Sequence, residues 1–360
     1  MTRVLLADVG HLDFSKVIPA LAERDGGQVV TLTLDVGQHG GTASSRARAL
    51  AAGAVRAHVL DMRDEFARAY LVPMLRAGAL RADDLSAPRA LLRTLTADRL
   101  VEVAAMEGTT RLAHGWAPGT PEAGQLAQAV GRHAAFEVMA IGSAHGPEAG
   151  TTEARRRRCV ESTLWWRRFV AGPDGTPPPA GMAGAEPGAV IDVTFAAGVP
   201  VALNGIEMPL VELIEAADTI AGDHGVGLRI VSPVAQGFSP AIEIETLEAP
   251  AAAVLIAAHA AMTRATASPL LRRLRRQIAV RYAAVLDAGE WASDARAALD
   301  GFVAEAQKRA SGTVRLTLRR GKCRVTGSPL TRVDAPDPRP GDESAAAARS
   351  GATVDLSVSH

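Results

Sequence analysis

The sequence predicts an α/β protein, built as a parallel-sheet domain followed by an α+β unit. Three observations carry that expectation. Over residues 1–141, short apolar runs alternate with amphipathic helical stretches. A composition break follows, with Gly/Ala/Glu and then Arg155 to Arg158 at residues 146–158, and a Pro/Gly-rich run at 172–189. Beyond it, strands, helices and a hairpin come in mixed order. Strict alternation of strand and helix implies parallel strands covered by helices on both faces, a Rossmann-like arrangement.

The elements are read in order from hydrophobic periodicity. In the first domain, strands are expected at 4–6, 29–34, 57–60, 111–113 and 135–141, and helices at 16–24, 44–52, 63–77, 88–107 and 122–132. The two breaks read as loops around a short segment bearing Trp165 and Trp166, which are expected to pack rather than stack on a ligand. The second unit opens near Val190 with an alternating strand to 195, then a strand at 199–204 ending in Asn204-Gly205. A helix at 210–222, a strand at 227–231, helices at 250–266, 269–288 and 293–310, and a hairpin at 312–327 follow. The resulting division is 1–171, 172–330 and a Pro/Asp/Ser/Ala-rich tail, 331–360, expected to be disordered. Met62, Met74 and Met106 are read as core residues.

Composition narrows the function classes. Formal net charge is +0, so neither nucleic acid nor an anionic membrane is an expected partner. The run Arg155 to Arg158 lacks interleaved aromatics and reads as a solvated loop. The two cysteines, Cys159 and Cys323, lack metal-ligand spacing and fit a reduced, cytoplasmic setting. No signal peptide or bilayer-length apolar stretch is read from the sequence.

Ligands in such sheets bind beyond the carboxyl ends of the strands. The loops at 8–14, 35–42 and 114–121 should therefore line one crevice. The first joins a strand to a helix N-terminus, the natural place for a phosphate. Its residues, Asp8-Val9-Gly10-His11-Leu12-Asp13-Phe14-Ser15, suit that task poorly. A phosphate cradle needs small residues and hydrogen-bond donors, and here valine, histidine and phenylalanine intrude. His11 reads either as a solvent-facing loop residue or as a replacement phosphate contact.

The order of motifs resembles the argininosuccinate synthase family over residues 3–327. That family opens with S-G-G-L-D-T-S, where this chain has Val9-Gly10-His11-Leu12-Asp13-Phe14-Ser15. Asp35-Val36-Gly37-Gln38 is similar to its A-D-V-G-Q, and Asp61 to Phe66 to its D-L-R-E-E-F. Ala113-His114-Gly115 stands for A-H-G. Leu164-Trp165, the stretches 198–205, 224–227, 248–251 and 254–259, and Ser311 to Leu316 continue the match.

The resemblance implies an ATP-pyrophosphatase-type nucleotide-binding domain and a synthetase/oligomerisation domain that assembles into a homotetramer through C-terminal helices. On the helix at 293–310, the stripe Ala297, Leu299, Phe302, Val303 and Ala306 is available for that contact. It also implies ATP with Mg, and amino-acid-like substrates. ATP activates the ureido oxygen of citrulline as an adenylate, releasing pyrophosphate, and the amine of aspartate displaces AMP.

Carried over position by position, Asp13 and Ser15 are the catalytic-loop candidates, and Ala7, Gly10, Leu12, Leu34 and Gly115 border the nucleotide. The aspartate pocket has lost its donors: the family's threonine, asparagine and arginine align with Ala117, Pro121 and Gln125. Glu122 remains, either as a ligand or as a helix-start carboxylate. In the citrulline pocket, Arg81, Arg89 and Arg168 stand at neutral family positions, Val170 replaces a glutamate, and Arg93 and Glu248 are kept. The new arginines either meet a more anionic ligand or pair with nearby carboxylates. The expectation is therefore a divergent adenylate-forming ATP-dependent C–N ligase with altered substrates. A pseudoenzyme keeping the fold is the alternative, and ordinary citrulline–aspartate ligation the third reading.

Overall fold

The computed structural model describes residues 3–8, 12–38, 42, 44–81, 84, 86–116, 118–133, 136–141, 158–171, 187–231 and 244–327. The Arg155–Arg157 part of the arginine run and the tail 331–360 lie outside these residues, as do Val9, Gly10, His11 and Ala117.

The first half is the expected parallel sheet. Strands β1 (Arg3–Asp8), β2 (Gln28–Asp35), β3 (Arg56–Asp61), β4 (Arg111–His114) and β5 (Glu137–Ala140) pair in the order β3-β2-β1-β4-β5, every neighbour parallel. β1 and β2 are buried along almost their whole length, because helices cover both faces. The helices are α1 (Phe14–Asp25), α2 (Ser45–Ala51), α3 (Arg63–Glu65), α4 (Val72–Ala77), α5 (Ser86–Glu107) and α6 (Pro121–Gly131). Thr120 caps α6, accepting from Ala123 N, and Pro121 follows at the helix start, where its missing N–H costs nothing.

The helix expected over 63–77 is interrupted. Residues Phe66–Leu71 form a π-helical stretch between α3 and α4. Pro73 opens α4 and cannot donate to the preceding turn, so the ladder widens there. Phe66, Ala67, Tyr70 and Leu71 are all buried as a result.

Two antiparallel sheets make up the remainder. In chain order the strands are β6 (Arg158–Ser162), β7 (Arg167–Ala171), β8 (Ala189–Ala196), β9 (Val199–Leu203), β10 (Ile206–Glu207), β11 (Leu228–Val231), β12 (Ile244–Glu248), β13 (Gly312–Arg319) and β14 (Lys322–Gly327). One sheet runs β10-β9-β8-β13-β14, the other β11-β12-β7-β6. Asn204 (φ 51°) and Gly205 (φ 79°) make the tight turn between β9 and β10, a conformation that Asn-Gly reaches at low cost. Helices α7 (Leu210–Asp223), α8 (Pro250–Thr266), α9 (Pro269–Asp287) and α10 (Asp294–Gln307) complete the unit.

One apolar core runs through both halves, taking in Leu5, Phe66, Trp166, Phe195, Val254 and Tyr282. A smaller one lies beneath α1 and holds Leu6, Phe14 and Ile18. Trp165 and Trp166 are fully buried, with Trp166 edge-on to Phe66 at 6.2 Å. Three expectations change. The tryptophan segment is the β6–β7 hairpin, paired with β12, rather than an isolated stretch between loops. Met106 is 69% exposed, unlike Met62 and Met74, because the last turn of α5 turns that face outward. On α10, Val303 is buried and Leu299 and Phe302 pack partly on the chain's own core, while Ala297 is exposed.

Candidate functional site

Strand order reverses at the centre of the parallel sheet: β2 and β3 lie to one side of β1, β4 and β5 to the other. The gap beyond the ends of β1 and β4 is thus the topological switch point. Asp8 ends β1 and is buried; its Oδ1 accepts from Leu12 N (3.2 Å) and its Oδ2 from the Thr33 hydroxyl (3.5 Å). Asp13 caps α1. Its Oδ1 accepts from both Ser15 N (3.2 Å) and Ser15 Oγ (2.5 Å), and Lys16 lies 3.7 Å away. The two catalytic-loop candidates are therefore brought together, as partners of each other. Phe14 points the other way, into the smaller core, with the Arg48 guanidinium 5.5 Å from its ring centre.

Leu12 and Gly115 also meet. The end of the Leu12 side chain occupies the room that a side chain at 115 would take. Ala7 and Leu34 are buried within the strands. Beside them, His114 ends β4 at 1% exposure. Its Nδ1 has no hydrogen-bond partner among the described residues, and its ring lies 5.3 Å from Trp116. Burial holds this imidazole down at about 4, so it is neutral at ordinary pH.

The loop after β2 is knitted to itself. Gln38 donates Nε2 to Leu34 O (2.6 Å) and accepts from Val36 N (2.9 Å). Asp35 accepts from Gly37 N (3.0 Å) and the Thr42 hydroxyl (2.9 Å). Leu164 N donates to Val36 O at 2.8 Å, fastening the β6–β7 turn to this loop. Gly37 (φ +84°) makes that approach possible: a Cβ there would lie 2.7 Å from Leu164 Cβ.

The arginines gather around carboxylates. Arg89 donates from Nε (2.8 Å) and Nη2 (2.7 Å) to Glu161 Oε2, and Arg168 Nε stands 3.4 Å from the same oxygen. Arg167 pairs with Asp218 (2.5 Å) and Glu248 (3.2 Å). Two of these are cross-strand contacts, since Glu161 faces Arg168 and Glu248 faces Arg167 in the sheet register, while Arg89 reaches in from α5 and Asp218 from α7. Arg81 forms a backbone bridge with Asp84 ahead of α5. Arg93 is different. It is 7% exposed and makes no hydrogen bond or ion pair with any described residue. Burial lowers its pKa, and Glu122, in the first turn of α6, and Glu161 act against that through space.

Glu161 and His114 were not among the sequence candidates. Glu161 has no motif to mark it, since its importance comes from facing Arg168 across a strand pair. His114 stood in view within Ala113-His114-Gly115, but its burial depends on Trp116 and the sheet. Among the described residues, no group of three or more His, Cys, Asp or Glu side chains is placed to hold a metal ion. No described helix is long and apolar enough to cross a membrane.

Residues 3–122 match the Arginosuccinate synthase N-terminal HUP domain, and residues 180–332 the Arginosuccinate synthase C-terminal domain. The chain is 33% identical to the argininosuccinate synthase of Rubrobacter xylanophilus over 356 residues, covering 92% of this chain and 86% of that protein. It is 31% identical to the argininosuccinate synthase of Dehalococcoides mccartyi over 350 residues, covering 90% and 86%. The chain belongs to the argininosuccinate synthase family. Against the family's opening motif, Phe14 at the threonine position is a core residue, and the surviving Asp13 and Ser15 cap the helix that the motif begins. The family's retained glutamate, Glu248, holds Arg167.

Proposed function

We propose that this member is a divergent ATP-dependent C–N ligase, activating as an adenylate a substrate other than citrulline and joining it to an amine other than aspartate. The observation that carries the reading is the meeting of Arg89 and Arg168, at positions where the family is neutral, on Glu161, which with Glu122 also acts through space on the retained Arg93. Guanidinium groups favour a more anionic substrate. ATP, with Mg, would supply the AMP leaving group. On this chain Ser15 is the hydroxyl at the α1 N-terminus suited to donate to phosphate, and Asp13 orients it. The fit is incomplete as the loop stands: Asp13 already engages Ser15 N, and Leu12 lies on Gly115. Nucleotide entry on this reading requires Leu12 to swing away.

That same contact favours a second reading, a pseudoenzyme in which Leu12 and the buried Phe14 have closed the nucleotide end for good. Calorimetry with ATP, followed by pyrophosphate release against a panel of amides and amines, separates the two. Release with a substrate pair other than citrulline and aspartate supports the ligase. Absence of both binding and release supports the pseudoenzyme. Turnover of citrulline and aspartate overturns both.

A cytoplasmic homotetramer is part of the proposal. Because Leu299, Phe302 and Val303 of α10 already pack on their own chain, the outward face of α9, with Leu270, Leu274 and Val280 exposed, is the better candidate contact. Light scattering at micromolar concentration reads this directly, and a monomer there removes the tetramer from the proposal.

A further inference from the structure

Asp8 is a carboxylate set where the loop after β1 would meet phosphate. It ends β1, is buried, and accepts from Leu12 N at 3.2 Å through Oδ1. The Thr33 hydroxyl lies 3.5 Å from its other oxygen. Asp13 holds Ser15 N, also at 3.2 Å. Loop N–H groups beside a helix N-terminus are the donors that an anionic ligand uses. Here two of them are engaged by carboxylates of the chain itself.

The Asp8 contact also fixes where Leu12 goes. On one side of Leu12 the loop is tied to β1 through Asp8. On the other it is tied by Phe14, buried in the smaller core, and by the Asp13 cap on α1. Between the two ties the Leu12 side chain lies on Gly115, just beyond the end of β4. A buried carboxylate resists losing a donor, because its charge is then poorly satisfied. A phosphate brought to this loop meets a like charge and competes with it for Leu12 N. We propose that Asp8 stands in for phosphate: its carboxylate occupies the donor face of the β1 loop and, by holding Leu12 on Gly115, keeps nucleotide affinity low at this crevice. The proposal rests on the reading of the crevice as the family's nucleotide end, and it holds with or without turnover.

The test is calorimetric titration of the whole protein and two variants with pyrophosphate and, separately, with adenosine, at constant ionic strength. Asp8→Asn keeps the shape and the acceptor for Leu12 N but removes the charge. It should bind pyrophosphate about tenfold or more tighter than wild type, with adenosine affinity unchanged. Leu12→Ala keeps the charge but empties the room beside Gly115. It should bind adenosine several-fold tighter, with pyrophosphate affinity unchanged. Leu12→Met, which refills that room, should behave as wild type. An Asp8 that only braces the turn would give a lower urea midpoint in Asp8→Asn and no gain in pyrophosphate affinity, and that result overturns the proposal. Wild-type adenosine affinity in Leu12→Ala overturns it as well, and this arm decides alone if Asp8→Asn does not fold. Both gains without pyrophosphate release from ATP uphold the block and remove the ligase reading. Release by wild type, with no gain in either variant, does the reverse.

Discussion

The loops after β1 and β2 leave the same end of the same sheet on neighbouring strands, and they have fared differently. The β2 loop matches the family's residues at Asp35, Val36, Gly37 and Gln38, and each of those matches has a partner inside the protein. Gln38 closes the loop on Leu34 and Val36, Asp35 ties Gly37 and Thr42, and Gly37 admits Leu164. The β1 loop departs from the family where hydroxyls and a small residue would face a ligand. Its surviving Asp13 and Ser15 have a structural task, capping α1. A motif residue with a partner in the fold is held by stability, because buried polar groups must be satisfied. A motif residue whose partner is a ligand is held only while the ligand is used.

If that contrast is sound, the largest effect is on chemistry. Argininosuccinate formation from citrulline, aspartate and ATP should fall on the order of a thousandfold or more below an ordinary family member, since several charge-assisted contacts of about 1.5–3 kcal/mol each are gone. A pyrophosphate-release assay with those substrates checks it, and ordinary rates would break the comparison outright.

Acid should come next. His114, at the end of β4, is held at about 4 by burial, and His259 at about 3 by burial and the nearby Arg275 and Arg76. Both take up protons more readily when unfolded, so their contribution is complete above about 6.5 and is lost as pH falls toward 4 and below. Stability should decline by up to about 1.4 kcal/mol per pH unit for each histidine in that window. Urea titrations between pH 7 and 4 read the slope, and His114→Leu should flatten it. An unchanged slope in that variant would mean that His114 is not held neutral by the site.

Within the β2 loop, Gly37→Ala should cost roughly 2–4 kcal/mol, combining positive φ with a collision against Leu164. Gly205→Ala, also at positive φ but in open space, should cost only about 1 kcal/mol. Equal costs in urea unfolding would show that the loop's close approach is not what holds Gly37.

The smallest effect concerns the arginines. Glu161→Gln should destabilise by about 2 kcal/mol, because it leaves two half-buried guanidiniums without their shared oxygen charge. Asp61→Asn, which breaks the exposed pair with Arg63, should cost less than about 1 kcal/mol. A stabilised Glu161→Gln would sharpen the picture in the opposite sense, showing that Glu161 restrains the site at the expense of the fold.

The sequence by itself determined the parallel sheet, its helices, the Asn204-Gly205 turn and the final hairpin. Those depend on local chemistry: apolar runs for buried strands, 3.6-residue periodicity for helices, and a backbone preference at one turn. Its motifs also determined the family, and they singled out Asp13 and Ser15, which meet in the fold, and Leu12 and Gly115, which also meet. Only the tertiary structure decided what those residues touch. β6, β7 and β12 escaped notice because charged residues interrupt their apolar pattern, and that pattern makes sense only once Arg167, largely buried, meets Asp218 and Glu248, 51 and 81 residues along the chain. The partner of Arg89 lies 72 residues away on another element, while Arg93, four residues on, has no hydrogen-bond or ion-pair partner among the described residues. Charge marks a residue as able to pair; whether it pairs, and with what, depends on which strands the fold sets side by side.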